Sequence, residues 1–366
     1  MNAPTLKLTR PLLQWLKADP AWRDLSLSLR AWLCWQANLG SLNHSMARRI
    51  LAATPRPDGA SIAPYGEAVQ QEIIAPIFVI GPWRSGTTAM HEALASSADV
   101  ITPRQWQCMA ATTFTHFRPP GKLAARRPMD GLWIHPQAPQ EDEFALMTLG
   151  VESLYRAFWM PHRLAELGPL LEQEHWLGDR TWISTWLEFL RGVRMTESSG
   201  DRKLLLKSPN HTFRLRAILE ALPDARFIWM ARDARSLAAS NFKMWHQMFA
   251  LHGLTAPRPS ALPEFLDHVW NGSAQALEHL RRSLPRDRWV VIDQRELQRD
   301  APGVISAVCQ QFGLIQPMIP LEASGTLPLL PPAAMVAPDP AVPPDTLDSP
   351  SLKRFAEVQT AALLEV

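Results

Sequence analysis

The sequence predicts an α/β fold in three layers, with a central parallel sheet, helices on both faces and helical insertions. Four short apolar runs, rich in leucine or β-branched residues, are typical of buried strands. They lie at residues 77–80, 204–206, 226–230 and 289–292. A helical pattern follows each run, as expected for parallel strands joined by crossover helices. A glycine loop with the spacing of a phosphate-binding turn also follows the first run.

Composition narrows the class of protein. The 366 residues are 46% hydrophobic and 20% charged with a net charge of +2, which predicts a folded protein that does not bind nucleic acid. Cys34, Cys108 and Cys309 are far apart and lack the spacing of a zinc site or a redox dithiol. We therefore predict reduced cysteines and a cytoplasmic location. No apolar run is long enough to span a membrane.

Three regions are predicted along the chain. Residues 1–70 form an N-terminal helical segment and linker, because helical periodicity gives way to "TPRPDGASIAPYG". Residues 71–316 form the α/β domain, with a helical insertion at 104–200 between its first two predicted strands. Residues 317–366 form a proline-rich strap and a C-terminal helix.

Tryptophans crowd into the N-terminal segment at positions 15, 22, 32 and 35, beside several basic residues. Packing of these rings into a helical layer on the sheet is the favoured interpretation. Peripheral contact with a membrane surface is the alternative.

The glycine loop departs from the nucleotide triphosphatase pattern at one position. Gly81 and Gly86 keep the spacing, but Thr87 occupies the lysine position, Thr88 follows, and the positive charge is carried by Arg84. A magnesium triphosphate would lose its usual clamp. Backbone amides, the helix N-terminus and one guanidinium can hold a smaller anion. A glycine turn without a ligand is the alternative.

Further polar residues follow the predicted strands. Lys207 and Arg232 stand at the carboxyl ends of two strands, where open parallel sheets bind ligands. Asp233 can cap the next helix. Ser236 and Ser240 are four residues apart and share one face of that helix.

Four stretches together resemble the sulfotransferases that use 3′-phosphoadenosine 5′-phosphosulfate (PAPS), specifically the bacterial group related to the tyrosylprotein enzymes. They are "PIFVIGPWRSGTTAMHEALA", "PQEDEFAL", "LLLKSPNHTFRLRAILEALPDARFIWMARDARSLAAS" and "RDAPGVISAVCQQFGL". The resemblance covers about residues 76–314. It implies a P-loop nucleotide-kinase-like three-layer fold and in-line transfer of a sulfuryl group to a hydroxyl or amine acceptor without a metal.

The resemblance also implies a donor site. Its 5′-phosphosulfate would be bound by Arg84, Ser85, Gly86, Thr87 and Thr88. Arg232 and Ser240 would bind the 3′-phosphate, which remains on the product adenosine 3′,5′-bisphosphate. Lys207 would contact the bridging oxygen and stabilise the leaving phosphate.

The general base does not carry over from either group of relatives. Cytosolic sulfotransferases have a histidine where this chain has Pro209, and the tyrosylprotein enzymes have a glutamate near the position of Gln105. Glu141 and Glu143 of "PQEDEF" are the preferred candidates, and His211 is the second choice.

The alternative for this acidic segment is structural. Glu141, Asp142 and Glu143, called the acidic triplet below, can instead complement the positive start of a helix.

Two other functions stay open at this point. A P-loop kinase or nucleotide hydrolase would need a loop lysine and an acidic strand end, and this chain has neither at the expected positions. A donor-binding protein without catalysis is the second alternative. Tryptophans at 106, 133, 159, 176, 182 and 186 suggest an apolar pocket for a small-molecule, lipid or sugar-lipid acceptor, but core packing explains them equally well.

Overall fold

Five parallel strands form the central sheet in the order β2–β5–β1–β6–β7. The strands are β1 (Ile77–Ile80), β2 (Val100–Ile101), β5 (Lys203–Lys207), β6 (Arg226–Ala231) and β7 (Trp289–Asp293). Two further short strands, β3 (Ala125–Arg126) and β4 (Trp133–Ile134), pair with each other in antiparallel orientation. The computed structural model describes residues 10–31, 33–35, 37, 72–115, 125–126, 133–197, 200–316 and 341–365.

Helices connect and cover the strands. They are α1 (Arg10–Ala18), α2 (Thr87–Ser97), α3 (Gln105–Met109), α4 (Glu143–Leu149), α5 (Arg180–Thr196), α6 (Leu215–Ala221), α7 (Ala234–His252), α8 (Ala261–Ser283), α9 (Gln294–Arg299), α10 (Ala301–Phe312), α11 (Pro344–Asp348) and α12 (Pro350–Leu364). Short 3₁₀ helices occur at Pro20–Asp24, Leu154–Phe158, Pro161–Leu171, Gln173–Trp176, Pro209–Arg214 and Arg286–Arg288.

Alternate residues of each central strand face opposite layers. Phe78 and Ile80 of β1 join the larger core, whereas Ile77 and Val79 join the smaller one. This follows from the two-residue repeat of a strand. Helices α2 and α10 cover the smaller face, and α5, α7, α8 and α12 cover the larger one. The predicted three-layer fold with its parallel sheet is confirmed.

All four predicted strands are present, each extended by at most one residue at either end. The sequence missed β2 and the β3–β4 pair, which are only two residues long per strand. Within the predicted helical insertion, α4 is short, because Gly150 adopts a left-handed conformation with φ of 89° and ends the helix. Ser153 then begins a separate 3₁₀ helix.

The predicted domain boundaries remain predictions. The linker before the sheet and most of the proline-rich strap lie outside the described residues. The C-terminal helix is present as α12, which packs along α8 and places the Phe355 and Trp270 rings 5.8 Å apart. None of the described helices is long and apolar enough to cross a membrane.

The N-terminal segment packs against the insertion. Leu13, Leu16 and Leu25 belong to the larger core. The Trp15 ring lies 5.8 Å from the guanidinium of Arg156. Packing is therefore the correct interpretation for Trp15, while the side chain of Trp32 is outside the described residues.

The neighbouring helical residues 27–31, 33–35 and 37 carry exposed apolar side chains. Leu27 is 78% exposed and Trp35 is 56% exposed.

Candidate active site

The glycine loop, residues 81–88, turns sharply from β1 into α2. Gly81 and Gly86 have φ of 130° and 103°, a region in which side chains are disfavoured. A Cβ on Gly81 would also lie 2.9 Å from the carbonyl oxygen of Met230 on β6. Arg84 has a positive φ of 68° as well. The loop therefore needs its two glycines to fit between the strands.

Two side chains outside the loop fix its backbone. Thr212 Oγ1 accepts a 2.9 Å hydrogen bond from the amide of Gly81. Asn241 Nδ2 donates a 2.6 Å hydrogen bond to the carbonyl of Trp83. Thr212 follows β5 and Asn241 lies on α7, which follows β6. The loop is therefore held by segments that follow both strands next to β1.

The loop has the features of an anion cradle. Gly86 immediately precedes α2 and makes no side-chain capping bond to the amides of the first turn. The Ser85 hydroxyl is buried and has no hydrogen-bond partner among the described residues. An unsatisfied buried hydroxyl beside an uncapped helix start fits a ligand that supplies acceptor oxygens.

Three residues predicted to bind phosphate lie together beside the loop. Arg84 Nε donates to Ser240 Oγ at 3.2 Å. Arg232 Nη1 donates to the carbonyl oxygen of Arg84 at 2.8 Å. Asp233 caps α7 as predicted, accepting from the amide of Ser236 at 2.9 Å, and this orients the helix that carries Ser240. The C-terminal helix α12 also holds Arg232 in position, since Gln359 Nε2 donates to the Arg232 carbonyl at 2.7 Å.

Lys207 joins the loop to the acidic triplet. It ends β5, and its side chain is only 3% exposed. Its ammonium donates to Glu141 Oε1 at 2.6 Å and to Thr88 Oγ1 at 3.3 Å. A lysine, a loop hydroxyl and a carboxylate therefore converge at the carboxyl end of the sheet.

Glu141 has a second partner on its other oxygen. The Tyr155 hydroxyl donates to Glu141 Oε2 at 2.6 Å, and Trp83 Nε1 donates to the Tyr155 oxygen at 3.3 Å. Burial, reinforced by the neighbouring Glu141 charge, raises the pKa of Tyr155 well above its ordinary value. The phenol is therefore neutral at physiological pH and able to donate. Glu141 itself is 12% exposed.

Asp142 points into the core. Its carboxylate lies 2.8 Å from His211 Nε2 and accepts a 2.7 Å hydrogen bond from Trp186 Nε1. Burial alone would raise the pKa of Asp142, but attraction to His211 and the hydrogen bonds from His211 and Trp186 outweigh it and lower that pKa. Asp142 and His211 are both fully buried.

Glu143 is also fully buried and pairs with Arg214 through both of its oxygens. The Arg214 guanidinium lies 4.1 Å from the Trp176 ring centroid. The three members of the acidic triplet thus bind Lys207, His211 and Arg214, in that order.

The helix-start interpretation of the triplet stays a prediction. Asp142 occupies the capping position of α4, yet its side chain makes no bond to the helix amides. The structure brings Glu141 to Lys207 and the loop, whereas it buries Glu143 and His211 in pairs without exposed side-chain surface.

Residues 76–317 match a family model described as the sulfotransferase family. The chain belongs to the sulfotransferase family. The predicted family is thereby confirmed, and the kinase alternative is not favoured.

Curated relatives in two mycobacteria agree with this membership. Omega-hydroxy-beta-dihydromenaquinone-9 sulfotransferase Stf3 of Mycobacterium bovis is 28% identical over 260 residues, and its counterpart in Mycobacterium tuberculosis matches equally. The match covers 68% of this sulfotransferase and 66% of each relative, so it spans slightly less than two thirds of their length.

Two solved structures share the fold. Sulfotransferase STF1 from Mycobacterium tuberculosis has a TM-score of 0.53 at 17% identity, with 83% of this chain and 81% of that chain covered. Sulfotransferase STF9 from Mycobacterium avium has a TM-score of 0.50 at 19% identity, with 70% and 67% covered. At these identities the likeness concerns the fold alone.

Gln105, which the resemblance places near the glutamate of the tyrosylprotein enzymes, is connected to Glu141 through Gln140. Gln140 Nε2 donates to Gln105 Oε1, and Gln140 Oε1 accepts a 2.8 Å hydrogen bond from the amide of Glu141. The carboxylate near this position therefore comes from the start of α4 rather than from α3.

The tryptophans proposed to line an acceptor pocket belong mostly to the core. Trp106, Trp159, Trp176, Trp182 and Trp186 are all buried, with exposed fractions of 6% or less. Core packing is the correct explanation for these five, and the side chain of Trp133 is outside the described residues.

Sequence reasoning missed Tyr155 and Trp83 as parts of the site. Trp83 lies in the glycine loop, but an indole carries no charge that would indicate an anion site, and Tyr155 lies outside the four matching stretches. The sequence therefore held no signal that Trp83 contacts Tyr155 or that Tyr155 contacts Glu141.

Proposed function

We propose that this protein transfers a sulfuryl group from PAPS to a hydroxyl group of a lipid or another small molecule. The observation that carries the proposal is the position of Lys207. Its ammonium lies between Thr88 of the glycine loop and Glu141, with 3.3 Å and 2.6 Å contacts. The leaving phosphate at the loop and the acceptor hydroxyl at Glu141 would therefore both lie beside this ammonium.

The donor would be held by residues already adjacent to one another. The amides of residues 86–88 and the Ser85 hydroxyl suit the 5′-phosphosulfate, and the resemblance assigns Arg84 to the same group. Arg232 and Ser240 suit the 3′-phosphate. The Arg84–Ser240 hydrogen bond makes the two proposed phosphate sites contiguous.

The proposed reaction is an in-line displacement at sulfur. The bond between the acceptor oxygen and sulfur forms as the bond between sulfur and the bridging oxygen breaks. The acceptor proton passes to Glu141, which keeps lone pairs beyond the two that accept from Lys207 and Tyr155. Lys207 has three N–H donors and can reach the leaving oxygen while it holds Glu141. Glu143 and His211 are assigned no role in proton transfer because both are buried in pairs.

A lipid hydroxyl is the proposed acceptor class for two reasons. The curated relatives are named for a hydroxylated menaquinone derivative, which is a lipid-like molecule. Leu27 and Trp35 are also exposed two helical turns apart on the N-terminal segment, which supports peripheral contact with a membrane surface.

The cysteines at 34, 108 and 309 are free, in agreement with the proposed cytoplasmic location.

Two measurements test the proposal. Calorimetry should show binding of adenosine 3′,5′-bisphosphate and much weaker binding of magnesium ATP. Radiolabelled PAPS incubated with the protein and host lipid extract should yield a sulfated lipid. Preference for magnesium ATP would overturn the donor assignment, and donor binding without any sulfated product would favour the non-catalytic alternative.

A further inference from the structure

We propose that Tyr155 is a positioning residue that holds the Glu141 carboxylate and connects it to the glycine loop through Trp83. This inference rests on the proposed function, in which Glu141 accepts the acceptor proton. The three groups form one chain of contacts, from the Trp83 indole to the Tyr155 hydroxyl and on to Glu141 Oε2.

The direction of both hydrogen bonds follows from chemistry. An indole nitrogen can only donate, so the Tyr155 oxygen must accept from Trp83. The single hydroxyl proton of Tyr155 is then directed to Glu141 Oε2 at 2.6 Å. Lys207 donates to the other oxygen at 2.6 Å. Hydrogen bonds to both oxygens fix the plane of the Glu141 carboxylate.

Tyr155 is itself rigid. Ser153 Oγ accepts from its amide at 3.2 Å, and its ring stacks on Phe158 with centroids 5.0 Å apart. The side chain is 4% exposed. A hydroxyl on such a support can define where the carboxylate lies.

Trp83 is equally well held on the loop side. Its carbonyl accepts from Asn241, and its ring meets the Trp245 ring edge-on at 5.3 Å. Trp83 immediately precedes Arg84, so movement of the loop would reach Tyr155 through one hydrogen bond. The chain of contacts thus ties the position of the proposed base to the conformation of the proposed donor loop.

The first test compares Tyr155→Phe with Thr148→Val. The control also removes one hydroxyl, and among the described residues Thr148 Oγ1 bonds to the carbonyl of Phe144 on its own helix rather than to Glu141 or Tyr155. Transfer from radiolabelled PAPS to a long-chain primary alcohol or a phenol is followed over a range of PAPS concentrations, so that kcat and the KM for PAPS are measured separately.

We expect Tyr155→Phe to lower kcat about tenfold and to leave the KM for PAPS within about twofold. Thr148→Val should resemble the parent. A folded Tyr155→Phe enzyme with the kcat of the parent would overturn the inference.

The second test needs no acceptor. The protein is labelled with ¹⁵N at its 15 tryptophans, and the Trp83 indole signal is assigned from its loss in Trp83→Phe. Tyr155→Phe and Glu141→Gln should each displace the Trp83 signal, whereas Thr148→Val should not. If Tyr155→Phe does not fold, Glu141→Gln alone still tests whether Trp83 is connected to Glu141.

The two tests separate the inference from the proposed function. If the Trp83 signal does not move in Glu141→Gln, the proposed connection between Glu141 and Trp83 is overturned, whether or not the protein is active. Absence of transfer by the parent protein would instead contradict the proposed function.

Discussion

Lys207 Nζ lies 2.6 Å from Glu141 Oε1, so the lysine at the end of β5 and the carboxylate just before α4 form one ion pair. Both side chains are largely buried, at 3% and 12% exposure. A buried pair of this kind is expensive to break from one side only. The proposed leaving-group lysine and the proposed base therefore hold each other in place at the edge of the glycine loop.

Replacement of Glu141 should separate binding from chemistry. Glu141→Gln keeps the shape of the side chain but removes the basic carboxylate, and its single amide oxygen can accept from Lys207 or from Tyr155 but not from both. We expect binding of adenosine 3′,5′-bisphosphate within about threefold of the parent and a fall in kcat of about 10²–10⁴-fold. Glu188→Gln, an exposed change on α5, is the control for lost charge. Normal turnover of Glu141→Gln would return Glu143 and His211 to consideration.

Arg84→Ala should act on donor binding. The change removes a guanidinium that contacts Ser240 beside Arg232. Loss of charge-assisted hydrogen bonds of about 1.5–3 kcal/mol predicts binding of adenosine 3′,5′-bisphosphate that is about 10- to 150-fold weaker by calorimetry. Arg235→Ala is the matched control, since Arg235 is exposed and pairs with Asp348. Equal affinities of the two variants would count against the donor site.

Removal of divalent metal should leave turnover unchanged. The proposed site offers Arg84, Lys207 and Arg232 as cations for a donor that leaves as a phosphate. Initial rates of sulfuryl transfer measured with EDTA, and then with added magnesium, should agree within error. A rate that requires magnesium would revive a kinase-like mechanism.

The Glu143–Arg214 pair should matter for stability rather than for chemistry. Glu143→Gln would leave the Arg214 guanidinium buried without a counter-charge, at a cost of about 3–5 kcal/mol. The midpoint of urea unfolding should fall markedly. Glu174→Gln provides the comparison, because the Arg216–Glu174 pair is 39% and 64% exposed and should contribute less than about 1 kcal/mol. Similar midpoints for both variants would contradict this assignment.

His252 should make stability depend on pH. It lies among the rings of Phe158 and Trp159, and burial lowers the pKa of His252 from 6.5 to about 4. The unfolded chain binds the proton first, so this contribution is complete above about pH 6.5 and is lost as pH falls toward 4.

The expected slope is about 1.4 kcal/mol per pH unit across that window. Unfolding free energies measured between these pH values should show a shallower slope in His252→Gln than in the parent. His268→Gln, an exposed change on α8, should keep the parent slope. Equal slopes in all three proteins would show that His252 is not the group responsible.

The sequence predicted the parts of the fold that depend on local patterns. The run at Ile77–Ile80, the glycines at 81 and 86, and the cap at Asp233 were all recognisable, because their geometry is set by neighbouring residues. Strand β2 was not recognisable, since two residues carry no period.

The choice within the acidic triplet could not be made from sequence. Consecutive residues around a helix start project in different directions, so Glu141 and Glu143 face different surroundings although their chemistry is the same. Only the fold shows that Glu143 meets Arg214 in the core while Glu141 meets Lys207 and Tyr155. Tyr155 is distant from the loop in sequence, and its contact with Trp83 arises from packing alone.

The one-to-one pairing of the acidic triplet with Lys207, His211 and Arg214 makes the spacing of this segment as important as its composition. Inserting or deleting one residue between Pro139 and Glu143 would shift every carboxylate onto the wrong cation at once, whereas a conservative exchange would disturb one pair. Length variants of this stretch should therefore be far less tolerated than point variants, and a library that contains both would reveal the difference.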